Sequence, residues 1–177
     1  AGQAGAELLP TIATSDLLEA HCLSVLLRQP DLVYRLDRAL QEEQLTRLAL
    51  EDFHSTEHQL IFRLIEESLR QDHVEPLNYV LNNLSLPLME LVDQLLARTE
   101  RLDPNEDRVL EDLVRTLIVL RQRRLRQQLE HIRFLMEEAQ ETGDSRASEY
   151  QQTMVNFIMA RVRLDQALGH YTSHIIQ

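Results

Sequence analysis

The sequence predicts an all-α protein: a compact helical bundle followed by a long helix and a projecting antiparallel two-helix hairpin. Three observations carry that expectation. Aromatic residues are 5% of the chain, with no Trp, four Gly and five Pro, too few for a sandwich or barrel whose aromatic and β-branched strands alternate with Gly- and Pro-rich turns. Apolar residues recur at three- and four-residue spacing over most of the chain, the period of one helix face. From Asn105 to Gly143 neither Gly nor Pro interrupts the sequence, so one helix of about 38 residues and about 57 Å is expected, longer than a small domain is wide.

The elements follow in order. Residues Ala1 to Ala13 are small and mostly uncharged and include Pro10. They bury too little apolar surface to offset ordering entropy and read as the remnant of a linker (1–13). Thr14-Ser15-Asp16 is an N-cap cluster before Leu17, Leu18, Cys22, Val25 and Leu26, a helix apolar around most of its circumference and therefore placed in a core. Pro30 suits the first turn of a second helix bearing Leu32, Val33, Leu36 and Leu40, and a third short segment runs from Gln44 to Leu50. Thr56 with Gln59 forms a capping box opening a helix with Leu60, Ile61, Leu64, Ile65 and Leu69, Phe53 anchoring its start. Two shorter helices, Pro76 to Asn82 and Pro87 to Thr99, are separated by Asn82-Asn83 and Ser85 to Pro87.

Asp103-Pro104-Asn105-Glu106 starts the long helix, with Asp103 as cap and Pro104 in the first helical position. Gly143 supplies a left-handed end, Asp144 or Ser145 caps a last helix, and that helix continues to about Tyr171. Folding the two arms about the turn pairs Ala139 with Ala147, Met136 with Tyr150, Ile132 with Met154 and Leu129 with Phe157. Beyond them Arg121, Arg123, Arg124 and Arg126 crowd the level of Arg161 and Arg163, a repulsion expected to open the seam. The expected organisation is thus a bundle over 14–120 and a neck with helical hairpin over 121–177.

The chain is 177 residues, 44% apolar, with net charge −11; its 18 basic residues are all Arg, against 29 acids. A surface of that sign repels phosphates, so direct nucleic-acid binding is not expected. Cys22 is the single cysteine and forms no internal disulfide. No run of roughly 18 apolar residues is present, and the first ten residues lack the basic and apolar regions of a secretion signal; a soluble, cytoplasmic protein without membrane contact is expected.

No chemistry-bearing motif appears: no GxxxxGK[ST], GxGxxG, HExxH or CxxC, and four glycines are few for a phosphate-cradling loop. His54 with His58, and His170 with His174, stand four apart, but His54 lies before the expected helix cap and the second pair sits in a fraying terminus with no nearby Cys or acid, so no metal or cofactor site is expected. Glu19 with His21 and Glu130 with His131 are spaced wrongly for a di-iron site and read as solvated side chains. No set of polar residues converging in a pocket, and hence no catalytic residue, is legible.

Two charge clusters remain. Arg121, Arg123 and Arg124 have no acid three or four residues away, so they either pair with acids of the bundle or form a contact strip for an acidic partner. Glu137, Glu138 and Glu141 occupy the last turns of the long helix, where the dipole disfavours them. Beside Phe134, Met136, Tyr150 and Met154 they describe apolar anchors rimmed by charge. The expected partner-binding residues are Phe134, Glu137, Glu138, Glu141, Arg146, Tyr150 and Met154. The last helix also carries two apolar stripes, Tyr150-Met154-Phe157-Leu164-Leu168-Tyr171 and Val155-Ile158-Val162, and one neighbouring helix covers only one of them.

Three segments in this order resemble the C-terminal, helicase-binding region of bacterial replicative DNA primases: HCLSVLLRQPDL (His21 to Leu32), LEDFHSTEHQLIF (Leu50 to Phe62), and FLMEEAQETGD (Phe134 to Asp144) continuing to RLDQAL (Arg163 to Leu168). The resemblance implies a helical bundle and hairpin that dock on the N-terminal domains of the hexameric replicative helicase. It also implies a chain without chemistry of its own, the zinc-binding and RNA-polymerising domains lying upstream in such primases. The middle segment is also similar to the N-terminal domain of the replicative helicase, of which this lysine-free chain would be a fragment. A third possibility is a structural homodimer that exchanges hairpins to cover the second stripe.

Overall fold

The computed structural model describes residues 14–173, all of whose regular elements are helical: α1 Thr14–Arg28, α2 Leu32–Glu42, a single 3-10 turn Leu50–Asp52, α3 Thr56–Ser68, α4 Pro76–Asn83, α5 Leu86–Arg98, α6 Glu106–Thr142 and α7 Ala147–Ser173. The expected linker, Ala1 to Ala13, lies outside the described residues, as does His174. Among the described residues no helix is long and apolar enough to cross a membrane.

α1 is the axle of the bundle. Cys22, Leu23, Val25, Leu26 and Leu27 are all at most 1% exposed, which is what a helix apolar on nearly every side requires. α3, α5 and the first half of α6 close around it, while α2 packs on α6 and α4 on α3. Phe53 and Phe62, both fully buried, meet at a ring-centroid distance of 5.1 Å and pin the start of α3.

The local starts and stops differ from the sequence reading in instructive ways. Pro30 precedes α2 instead of opening it, and its carbonyl accepts from Val33 N–H at 3.1 Å. Residues Gln44 to Leu50 are not a helix: Gln44 takes a left-handed φ of 60°, and Leu45 N–H donates back to the Leu40 carbonyl at 2.8 Å, a helix-ending bond that glycine usually permits. The cap of α3 is Ser55, whose hydroxyl accepts from His58 N–H; Gln59 instead donates its side-chain amide to the Phe53 carbonyl at 2.8 Å. Asn105, not Asp103, caps α6, accepting from Asp107 and Arg108 N–H, while Asp103 accepts from Asn105 N–H in the preceding turn at 2.9 Å.

α6 runs unbroken for 37 residues and ends at Gly143, whose φ of 69° is left-handed. Its first half lies in the bundle; its second half touches α7, which returns antiparallel along it. Leu129, Ile132 and Ala139 are buried, yet they lie outside the continuous core cluster that unites the bundle. They form the inner row of the α6–α7 seam.

The seam does not open at the arginines. Gln122 donates to the Asp165 carboxylate at 2.7 Å, and the Arg115 guanidinium donates to the Tyr171 carbonyl at 3.5 Å; both keep the register that pairs Ala139 with Ala147. Leu125, Leu164 and Ala167 fill this stretch and belong to the same core cluster as α1. The expected repulsion is absent because the charges point elsewhere: Arg121 turns into the bundle, and Arg161 stays exposed, leaning on Asp165 of its own helix at 3.9 Å.

Candidate functional site

The α6–α7 turn is built by backbone geometry first. Left-handed Gly143 lets Asp144 N–H reach back to the Ala139 carbonyl at 2.8 Å, closing α6 as glycine ends do. The Asp144 carboxylate accepts from Arg146 N–H at 2.9 Å and from its guanidinium at 2.7 Å. The Arg146 guanidinium holds the Asp144 carboxyl below its ordinary range, and Asp144 in turn raises Arg146. The same guanidinium lies 6.0 Å from the centre of the Tyr150 ring, within cation–π range.

The structure separates the seven expected contact residues into two groups. Phe134, Glu137, Glu138, Glu141 and Arg146 are exposed, Phe134 at 64%. Tyr150 and Met154 are half-buried on α7. Phe134 stands on the outer face of α6 with His131 one turn before it and Glu137 and Glu138 one turn after, all exposed. An aromatic ring in water with carboxylates on its flank is an anchor without a socket in this chain.

At the base of the hairpin the arginine cluster resolves by position. Arg121 donates to both Asp52 oxygens, at 2.7 and 2.8 Å, and to the Thr46 and Arg47 carbonyls, each at 2.9 Å. Its side chain is 12% exposed and that of Asp52 8%. Arg121 is therefore a tie between α6 and the 46–52 loop and not part of a contact strip. Arg123 and Arg124 are half-buried; Arg126 is exposed.

A cleft of about 390 Å³ opens beside this tie, lined by Asp16, Glu19, Asp52, His54, Leu120, Arg124 and Gln127. Polar side chains do converge here, contrary to the sequence reading. Two of its carboxylates are already committed, Asp52 to Arg121 and Glu19 to the start of α3. Glu19, expected in solvent, is 1% exposed. It accepts from the backbone N–H of His54 and Ser55 and from Nδ1 of His58 at 2.7 Å. Burial alone would raise the Glu19 carboxyl; the His58 hydrogen bond and the two backbone N–H groups outweigh it and hold the carboxyl below its ordinary value. A carboxylate so saturated with donors caps the start of α3.

Two further histidine pairs tie helices together. His21 meets Asp112 at 2.6 Å, joining α1 to α6 and lowering the Asp112 carboxyl, and His170 meets Glu43 at 2.7 Å, joining α7 to the end of α2. Burial pushes the Cys22 thiol up. Among the described residues no group of three or more His, Cys, Asp or Glu is placed to hold a metal ion.

Sequence reasoning missed Glu19 and His58, and it left open whether the arginines pair with acids of the bundle or form a contact strip; Arg121 takes the first course, with Asp52 as the acid. The partners lie 39 residues apart in one pair and 69 in the other, beyond any local spacing rule; the sole local hint was an acid on the otherwise apolar face of α1. Searches of protein-family models, of curated proteins and of solved structures each return no match.

Proposed function

We propose that this chain is a non-catalytic, cytoplasmic protein-interaction domain, the helicase-binding C-terminal region of a bacterial replicative DNA primase. It docks its hairpin tip on the N-terminal domains of the replicative helicase and so couples primer synthesis to unwinding. The observation that carries the reading is Phe134, 64% exposed on α6, with Glu137 and Glu138 one turn on and exposed as well. A folded chain gains nothing for itself by holding an aromatic ring in water; a ring rimmed by carboxylates suits a partner with an apolar pocket edged by basic side chains. The 11 net negative charges favour a protein partner over nucleic acid. The order of the three segments that resemble primases adds to this reading.

Titration calorimetry of the full chain against the N-terminal domain of a bacterial replicative helicase tests it. Phe134→Ala is expected to weaken binding at least tenfold, as truncation of an interface anchor does, and Glu137→Lys with Glu138→Lys to weaken it further at low salt than at high salt. No heat of binding for the unaltered chain, or equal affinity in all three proteins, would remove the proposal.

A further inference from the structure

Opposite the seam, α7 carries a second apolar row. Val155, Ile158, Met159 and Val162 are 42%, 43%, 54% and 48% exposed, and their spacing places them on one helix face. At about 100° per residue, that face points directly away from the buried side of Leu164 and Ala167.

The row reads alike in both directions. About the peptide joining Ile158 to Met159, Val155 and Val162 are equidistant, Gln151 and Gln166 come next, and Ser148 and Gly169 stand at the ends. In an isologous contact residue i meets j and j meets i, so about a two-fold axis at this point the pattern sets like side chains against each other. The charge agrees. From Tyr150 to Leu164 there is no carboxylate, and Arg161 and Arg163 are the charged residues of that stretch, although the chain holds 29 acids; of the two acids beside it, Glu149 and Asp165, the second is engaged by Gln122 and Arg161. Two copies of a strongly anionic chain repel least where they present this face.

We infer that α7 docks through Val155, Ile158, Met159 and Val162 on the same face of a second copy, antiparallel, about a two-fold axis beside Ile158 and Met159. Val155 of one copy then lies against Val162 of the other, Gln151 faces Gln166, each amide able to donate and accept, and the two Met159 side chains meet next to the axis. The hairpins are not exchanged; each α6–α7 seam stays within its own chain. The row is about 32 Å long and about 10 Å wide, so the pair buries on the order of 1,000 Å² in total, the lower edge of specific interfaces. Association is therefore concentration-dependent, with a dissociation constant in the micromolar range. Phe134 and its acidic rim lie on α6, so the pairing is independent of the proposed helicase contact.

Sedimentation equilibrium of the full chain between about 1 and about 500 μM tests the inference. The mass is expected to climb from 20.7 kDa towards twice that value. Met159→Glu sets two carboxylates side by side at the axis and is expected to weaken the pair at least tenfold; Val162→Gln, the milder variant, serves if the first fails to fold by circular dichroism. Met159→Cys is expected to give a disulfide-linked dimer under mild oxidation, its two sulfurs falling within bridging reach, while Phe134→Cys gives none and buried Cys22 adds no background. A chain that stays at the single mass throughout, a dimer indifferent to Met159→Glu and Val162→Gln, or equal cross-linking at 134 and 159 would overturn it. So would loss of helicase binding on Met159→Glu, which would assign the face to that partner.

Discussion

The two ends of α6 share one helix and answer to different neighbours. Between Val109 and Leu120 the buried residues are Val109, Leu113, Val114, Thr116, Leu117, Ile118 and Leu120, which face α1, α2 and α7 together. Between Arg126 and Thr142 they are Leu129, Ile132 and Ala139, a single row against α7. Helix propensity hardly changes along the rod; the number of elements around it does. At the root a side chain is part of the core, so its loss registers as stability. At the tip most side chains touch only water, so their loss registers as recognition.

The largest expected effect that would break this contrast is at the root. Leu117, fully buried, should destabilise the chain by about 3 kcal/mol when replaced by Ala, the usual scale for a core leucine, measured by urea denaturation. A loss below about 1 kcal/mol would mean the root is no better packed than the tip. Next comes Arg121→Ala, which strands the buried Asp52 without its guanidinium and is expected to lower stability by about 2 kcal/mol. Arg121→Met combined with Asp52→Asn should recover most of that, because neither charge is then left alone. A double variant no better than the single one would show that the tie acts through the Thr46 and Arg47 carbonyls and not through Asp52.

Glu19 sharpens the comparison through pH. Its folded carboxyl lies below the ordinary value of 4.5, so the folded state favours the ionised form. The stability this contributes is fully present above about pH 4.5 and is lost as pH falls through the lower, folded value. Thermal melts between pH 3 and pH 7 should therefore show a shallower acid limb for Glu19→Gln than for the unaltered chain; parallel limbs would place the linkage elsewhere. The smallest effect is at the tip. Glu137→Lys with Glu138→Lys should change the melting free energy by no more than about 0.5 kcal/mol, and upward, since cations suit the last turns of a helix. A marked loss in calorimetric stability would mean that the acidic rim has a hidden partner inside the chain.

What was legible in the sequence follows the same division. The long helix and its end at Gly143 could be read because a run without Gly or Pro, closed by one glycine, is a local signal. The seam register was legible because Leu129, Ile132 and Ala139 repeat at helical spacing. Caps slipped by one or two positions where several candidates stood together, Ser55 beside Thr56 and Asn105 beside Asp103, since only backbone direction decides which oxygen reaches a free N–H. The arginines at 121–126 were legible only as two alternatives, a pairing with acids of the bundle or a contact strip. Counting acids at helical spacing found no partner for Arg121, whereas Asp52 arrives from another element altogether. The exposed face of Phe134 could be foreseen; the buried Glu19 and His58 pair could not, because neither residue announces the other.

The unbroken backbone of α6 has a mechanical consequence. With no proline and no glycine before Gly143, the rod has no joint, and Arg121 lashes it to the 46–52 loop where it leaves the bundle. A load applied at the far turn would meet Leu125 and the Arg121 tie before it reached Leu113 and Leu117 beside α1. A force applied at the distal turn would thus bear on the bundle about the Arg121 tie.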